Sequence, residues 1–167
     1  MLITDRFSGL TWIYFLTHKT DQWFISVLHH QFSYIAKHYG LKVLRIECDN
    51  ELVRPVVKRW LHSLHIETLP CAPDTQAQNG LAERIGAVIK DKARAMRNGA
   101  HLPTHLMEEI YQAAVYLFNR TPRYTNHWKS PYECFFLRKS RVVQLEIQLQ
   151  RCQISGISAP TGVRHSP

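Results

Sequence analysis

The stretch Ile66-Glu-Thr-Leu-Pro-Cys-Ala-Pro-Asp-Thr-Gln-Ala-Gln-Asn-Gly80, continuing as Leu81-Ala-Glu-Arg-Ile-Gly-Ala-Val-Ile-Lys-Asp-Lys-Ala-Arg-Ala-Met-Arg97, decides how this chain is read. Ile66 to Leu69 has strand character. Residues 70–80 are loop by every local signal: Pro, Asp, Asn and Gly in quick succession. Leu81 to about Arg97 predicts a long helix, closed by Asn98-Gly99. The same strand-and-helix alternation holds upstream. Thr20 predicts the cap of a helix running to about Tyr39, with Trp23, Val27, Phe32, Ile35 and Ala36 as its apolar stripe and Gly40 as its stop. Leu41 to Cys48 predicts a strand with Val43, Arg45, Glu47 and Asp49 on one side. Pro55 to Leu64 predicts a short helix turning Val56, Val57, Trp60 and Leu64 inward. Residues 1–4 and 10–16 read as a hairpin around a Ser-Gly turn. Strands mixed with long helices indicate an α/β layer fold.

Downstream, a helix is expected from Pro103 or Thr104 to Asn119, stopped by Pro122. A turn over Pro122 to Asn126 and a short helix over Lys129 to Phe136 follow. After Leu137 the composition shifts: residues 138–152 fit either strand or helix, and 153–167 are rich in Ser, Gly and Pro. The expected organisation is one domain over residues 1–136 and a divergent, poorly ordered tail over 137–167.

The 167 residues suffice for one domain with a real core, and 45% hydrophobic residues argue against wholesale disorder. Lys and Arg number 21 against 13 Asp and Glu, a net charge of +8 that suggests a polyanionic partner. The apolar run Leu10–Leu16 is far too short to span a bilayer, and the start of the chain has no secretory pattern. Four widely spaced cysteines contain no C-x-x-C and give no sign of a disulfide framework.

Around the axis of the 81–97 helix, Glu83, Lys90, Arg94 and Arg97 fall on one narrow stripe at about 100° per residue. Leu81, Ile85, Val88, Ala95 and Met96 cluster opposite, with Lys92 alone breaking the apolar face. The helix therefore aims one acid and three bases outward along a line. A solvated amphipathic helix carries charges in the same way. Asp49 sits at the carboxyl end of a strand, where open α/β sheets place their ligand sites, and where Asp also caps turns and helices.

Four segments, in order, carry a resemblance: Ile46-Glu-Cys-Asp49-Asn50; Pro73-Asp-Thr-Gln76-Ala-Gln78-Asn79-Gly80-Leu-Ala-Glu83-Arg84; Ala114-Val-Tyr-Leu-Phe-Asn119-Arg-Thr-Pro122; and Lys129-Ser-Pro-Tyr-Glu133. Over about residues 1–136 the chain resembles the integrase core of copia-type LTR retrotransposons. The resemblance implies a ribonuclease H-like mixed sheet flanked by helices, and a triad of two aspartates and a glutamate that binds Mg²⁺ or Mn²⁺. Asp49 matches the second aspartate and Glu83 the glutamate. Lys90, Arg94 and Arg97 would contact DNA, and Gln76, Asn79 and Gly80 form the loop before the catalytic helix. Carboxylates suit hard divalent ions, which can activate the attacking oxygen and stabilise the leaving one at a phosphodiester. The implied partners are DNA (element ends and target), with RNA as a further candidate, and further copies of the same chain. The implied location is the nucleus, and no membrane is involved.

The first aspartate departs from this pattern. Ile3-Thr-Asp5-Arg-Phe-Ser-Gly9 matches the end of the second strand, so the fold is expected to lack its first, central strand and to expose a sheet edge. Asp5 is read as marking a turn. The expected protein is thus a fragment of an integrase core, inactive alone for want of that aspartate. The competing expectation is a non-catalytic remnant that binds nucleic acid or a partner through its basic surface. His29 and His30, His62 and His65, and His101 and His105 are near neighbours without the convergent ligands that zinc needs. Cys48 and Cys71 read as small buried residues. Trp12, Tyr14, Trp60, Tyr111, Tyr116 and Phe118 read as core, and packing is preferred over base stacking for Trp128. Arg120, Arg123, Lys129, Arg138, Lys139 and Arg141 make a second basic region.

Overall fold

The computed structural model describes residues 1–16, 20–48, 54–70, 76–137 and 145–150. They form one five-stranded mixed sheet with helices on both faces. In chain order the elements are β1 (Leu2–Asp5), β2 (Thr11–Ile13), α1 (Asp21–Tyr39), β3 (Val43–Cys48), α2 (Pro55–Ser63), β4 (Glu67–Pro70), α3 (Gln76–Gly99), α4 (Met107–Arg120), α5 (Pro131–Leu137) and β5 (Leu145–Gln150).

Local chemistry sets the ends of α1 as the sequence predicts. The Thr20 hydroxyl accepts a hydrogen bond from the Trp23 amide, and Gly40 terminates the helix at φ 63°, a conformation that favours glycine. Helix α2 buries Val57 and Leu61, whereas Val56 and Leu64 are exposed. Its inner face therefore follows a spacing of four residues, and the expected inward placement of Val56 and Leu64 does not hold. In β3 the pairing with β5 shifts register between Val43 and Arg45. That irregularity brings Val43, Ile46 and Cys48 into one core cluster. Val43 is thereby separated from the face it was expected to share with Arg45 and Glu47.

Helix α3 begins at Gln76, five residues earlier than its sequence suggests. Gln76, Asn79 and Gly80, expected in a loop, lie inside its first turns. Gly costs about 1 kcal/mol in a helix interior, but Gln and Ala around it are good helix formers.

β5 takes the middle of the sheet, whose order is β2-β1-β5-β3-β4. It runs antiparallel to β1, with Leu2 opposite Gln150 and Asp5 opposite Ile147. It runs parallel to β3, with Ile46 beside Ile147 and Cys48 beside Leu149. Of the two conformations expected for residues 138–152, Leu145–Gln150 takes the strand, within the stretch from 137 expected to be poorly ordered, and residues 138–144 and 151–167 lie outside the described residues. The edge that an absent first strand would leave between β1 and β3 is closed by β5.

The two faces of the sheet carry separate cores. Leu2 and Ile3, both essentially inaccessible, point to opposite sides. Ile3 joins Phe24, Leu28, Ile35, Val57, Leu61 and Phe135 beneath α1, α2 and α5. Leu2 joins Ile85, Ile89, Ala93, Ile110, Ala114 and Phe118 beneath α3 and α4. Each fully buried Leu or Ile contributes about 1.5–3 kcal/mol.

Candidate active site

Helix α3 presents Glu83. Ile85, Ile89 and Ala93, four residues apart, are buried against the sheet and α4, and α3 also packs on β5. Burying that face leaves Glu83, Lys90 and Arg94 exposed. Val88 is 44% exposed and Ala95 is exposed as well, so the buried face is narrower than the expected one. Arg94 pairs with Asp91 at 3.0 Å on the surface, a contact of small energetic weight. Arg97 behaves differently. It is half-buried and donates from Nη2 to the Thr104 hydroxyl at 3.1 Å, tying the end of α3 to the turn before α4. The structure brings Glu83, Lys90 and Arg94 onto one open face and gives Arg97 a structural partner.

Asp49 lies outside the described residues. The strand that leads to it ends at Cys48, which is buried, as expected for a small buried residue. Glu47, on the same strand, is buried and forms an ion pair with Arg6. Sequence reading missed this acid because nothing local marks a charge for burial. Its partner lies 41 residues away. Among the described residues no three His, Cys, Asp or Glu side chains converge to hold a metal.

Asp5 serves the turn. Its carboxylate accepts hydrogen bonds from the Ser8 amide at 2.9 Å and the Ser8 hydroxyl at 2.5 Å. Asp5 lies level with Ile46, two strands across from β3. That is about 10 Å sideways and about 7 Å short of the end of β3 at Cys48.

The Asn119 of the third resembling segment has an equally defined job. Its side-chain oxygen accepts from the Thr11 amide at 2.9 Å, and its side-chain nitrogen donates to the Thr11 carbonyl at 2.7 Å. A buried amide thus serves as the outer pairing partner of the edge strand β2. Ser130 and Glu133 of the fourth segment cap α5. The Glu133 carboxylate accepts from the Ser130 amide at 2.7 Å and hydroxyl at 2.8 Å. These hydrogen bonds, with Lys129 nearby, hold its pKa below the ordinary carboxylate value.

A hollow of about 320 Å³ lies between β2, α1, α4 and α5, lined among others by Trp12, Tyr34, Tyr39, Tyr116, Arg120 and Tyr132. Burial, and Tyr34 beside it, push the Tyr14 phenol at its wall up to about 12. Neither Glu83 nor the stripe on α3 reaches it. Of the expected core aromatics, Tyr111 and Phe118 are buried, but Tyr116 is 55% exposed.

The sheet and its flanking helices have the ribonuclease H-like fold of integrase catalytic cores. The catalytic core domain of BIV integrase superposes with a TM-score of 0.61 at 19% identity, covering 83% of this chain and 86% of that one. The HTLV-2 integrase catalytic core domain, in a trimeric form in complex with magnesium, superposes with a TM-score of 0.59 at 20% identity, covering 80% and 82%. A chain of the simian T-cell lymphotropic virus intasome, in complex with PP2A regulatory subunit B56 gamma, gives 0.64 at 22% identity, covering 80% and 46%. No family model matches the chain. In sequence it is 32% identical over 120 residues to the retrovirus-related Pol polyprotein from transposon TNT 1-94 of Nicotiana tabacum, covering 71% of this chain. The chain spans only 9% of that relative's length. The protein is an integrase-like core with retrotransposon Pol likeness.

Proposed function

We propose that this chain is the DNA-engaging part of a retrotransposon integrase core, with Asp49 and Glu83 as its catalytic carboxylates. The observation that carries this reading is helix α3. It buries Ile85, Ile89 and Ala93 and holds Glu83, Lys90 and Arg94 open to solvent, beside a sheet whose β3 leads directly to Asp49. The donor chemistry of the two carboxylates fits a hard cation such as Mg²⁺ or Mn²⁺ rather than a softer one. Asp49 and Glu83 would hold the divalent ion, and a bound Mg²⁺ or Mn²⁺ supplies charge neutralisation at the scissile phosphate. Lys90 and Arg94 bind the phosphate backbone along the helix, setting the register of DNA without reading its bases. Further copies of the chain, an RNA strand, and the nucleus as the place of action belong to the same reading.

On this reading the chain alone does not cut or join DNA. The resemblance assigns the first aspartate to a central strand, and the central strand here is β5, Leu145-Glu-Ile-Gln-Leu-Gln150. The β5 residues beside Glu47 and opposite Leu2 are Gln148 and Gln150, amides that bind divalent ions weakly. This feature favours the second reading, a non-catalytic nucleic-acid-binding remnant.

Calorimetric titration with Mn²⁺ separates the two. A stoichiometric signal that Asp49→Asn and Glu83→Gln each abolish supports the carboxylate pair. Salt-sensitive DNA binding with no metal signal supports the remnant.

A further inference from the structure

The segment after α4 folds into a tight knuckle that displays two aromatic rings to water. The Arg123 and Lys129 backbones pair as an antiparallel bridge. Inside it, the Trp128 amide donates to the Arg123 carbonyl at 2.9 Å and the His127 amide to the Tyr124 carbonyl at 3.0 Å. The closure forces two consecutive non-glycine residues, His127 (φ 53°) and Trp128 (φ 60°), into the left-handed region. For a bulky residue such as Trp this costs of order 1–3 kcal/mol. The knuckle is anchored from outside. Asn126 donates to the Ser8 carbonyl at 3.1 Å, and the Arg123 guanidinium lies 3.6 Å above the Phe118 ring. Burial lowers the pKa of Arg123 from its usual value.

The knuckle supports two side chains that are largely exposed. Tyr124 is 80% exposed and Trp128 71%, their rings edge to face with centroids 6.1 Å apart. The sequence expectation that Trp128 packs inside is therefore wrong. The surroundings are cationic. Exposed Arg120 lies 3.7 Å above the Tyr116 ring and 4.8 Å above Tyr132, and Lys129 and His127 are exposed. Neither Arg120 nor Lys129 forms an ion pair with a described residue. The neighbouring carboxylate, Glu133, is held by Ser130.

We propose that this knuckle is a second nucleic-acid site, taking an unpaired strand with bases stacked on Trp128 and Tyr124 and phosphates met by Arg120 and Lys129. Exposed rings among exposed cations match what a single strand offers, a π-face on every base and a charge on every phosphate. A duplex hides its base faces and offers only the charges. The site is separate from Glu83 on α3. The knuckle hangs from the β1–β2 turn at Ser8. Because β1 and β3 run in opposite directions on either side of β5, that turn lies at the end of the sheet opposite the carboxyl end of β3.

The test measures binding of a fluorescent oligothymidylate, an abasic strand of equal length and a duplex, all at fixed salt. Trp128→Ala and Tyr124→Ala should each weaken oligothymidylate binding about tenfold. The abasic strand and the duplex should change less than twofold, and Trp128→Phe should keep oligothymidylate binding close to that of the unaltered chain. Equal losses on the abasic strand, or no loss on oligothymidylate with melting temperatures unchanged, would overturn the proposal. Because both rings are exposed, their removal leaves the core intact, and circular dichroism verifies this for each variant.

Discussion

At the corner where β1 turns into β2, the polar side chains that enter the fold have fixed partners. Asp5 is bonded twice by Ser8, Asn119 twice by Thr11, and Asn126 reaches the Ser8 carbonyl. On the open face of α3 the opposite holds. Glu83 and Lys90 are exposed and make no hydrogen bond or ion pair with any described residue. Both regions draw on sequence that resembles the same family. One uses its carboxylate and amides to hold backbone in place, and the other keeps its charges available for something outside the chain. The contrast teaches that an Asp or Asn in a family motif is not by itself a functional residue. The partner that satisfies it decides.

Three experiments can break or sharpen this contrast. The largest effect is expected from truncation after residue 144, which removes β5. The β1–β2 hairpin and the β3–β4 pair then lose their common neighbour, and cooperative thermal unfolding should disappear from the circular dichroism melt. A melt like that of the intact chain would show that the corner and α3 do not depend on a shared sheet. Next is Asn119→Ala. It leaves the Thr11 amide and carbonyl unpaired in a buried place and should cost about 2–4 kcal/mol in denaturant unfolding. A change below about 0.5 kcal/mol would remove the distinction between a clamping and a free polar group. Smallest is the pair Asp5→Ala and Glu83→Gln. Loss of the Ser8 bonds should cost about 1–2 kcal/mol, whereas Glu83→Gln should stay within about 0.5 kcal/mol. Equal destabilisation by the two would place Glu83 among the structural acids.

How much of this was legible in the sequence depended on the distance over which the deciding contacts act. The α1 boundaries were legible because Thr20 and Gly40 act within a turn of themselves. The buried side of α3 was half legible. Ile85 was expected, but the fold selects Ile89 and Ala93 over Val88 and Ala95, a matter of crossing geometry against α4 and the sheet. The start of α3 was misread because Asn79-Gly80 is a strong turn signal that the surrounding helix overrides. The place of β5 was illegible. Its hydrogen-bonding partners sit around residues 2–5 and 43–48, and six residues of alternating character do not reveal which strands they separate. The exposure of Trp128 was hidden by the rule that large aromatics are buried, which the left-handed backbone at His127 and Trp128 overrides. Glu83, by contrast, stood out from its spacing to Lys90 and Arg94 and from the resembling segment around it.

The position of β5 has a consequence for biosynthesis. The ribosome releases β1 to β4 and α1 to α5 before it makes Leu145–Gln150, so among the described strands the central one arrives last. Until then the nascent chain holds two strand pairs with unsatisfied inner edges facing each other. Such edges are templates for pairing with foreign strands. The interval between synthesis of α5 and arrival of β5 is therefore when these inner edges are most open to foreign strands.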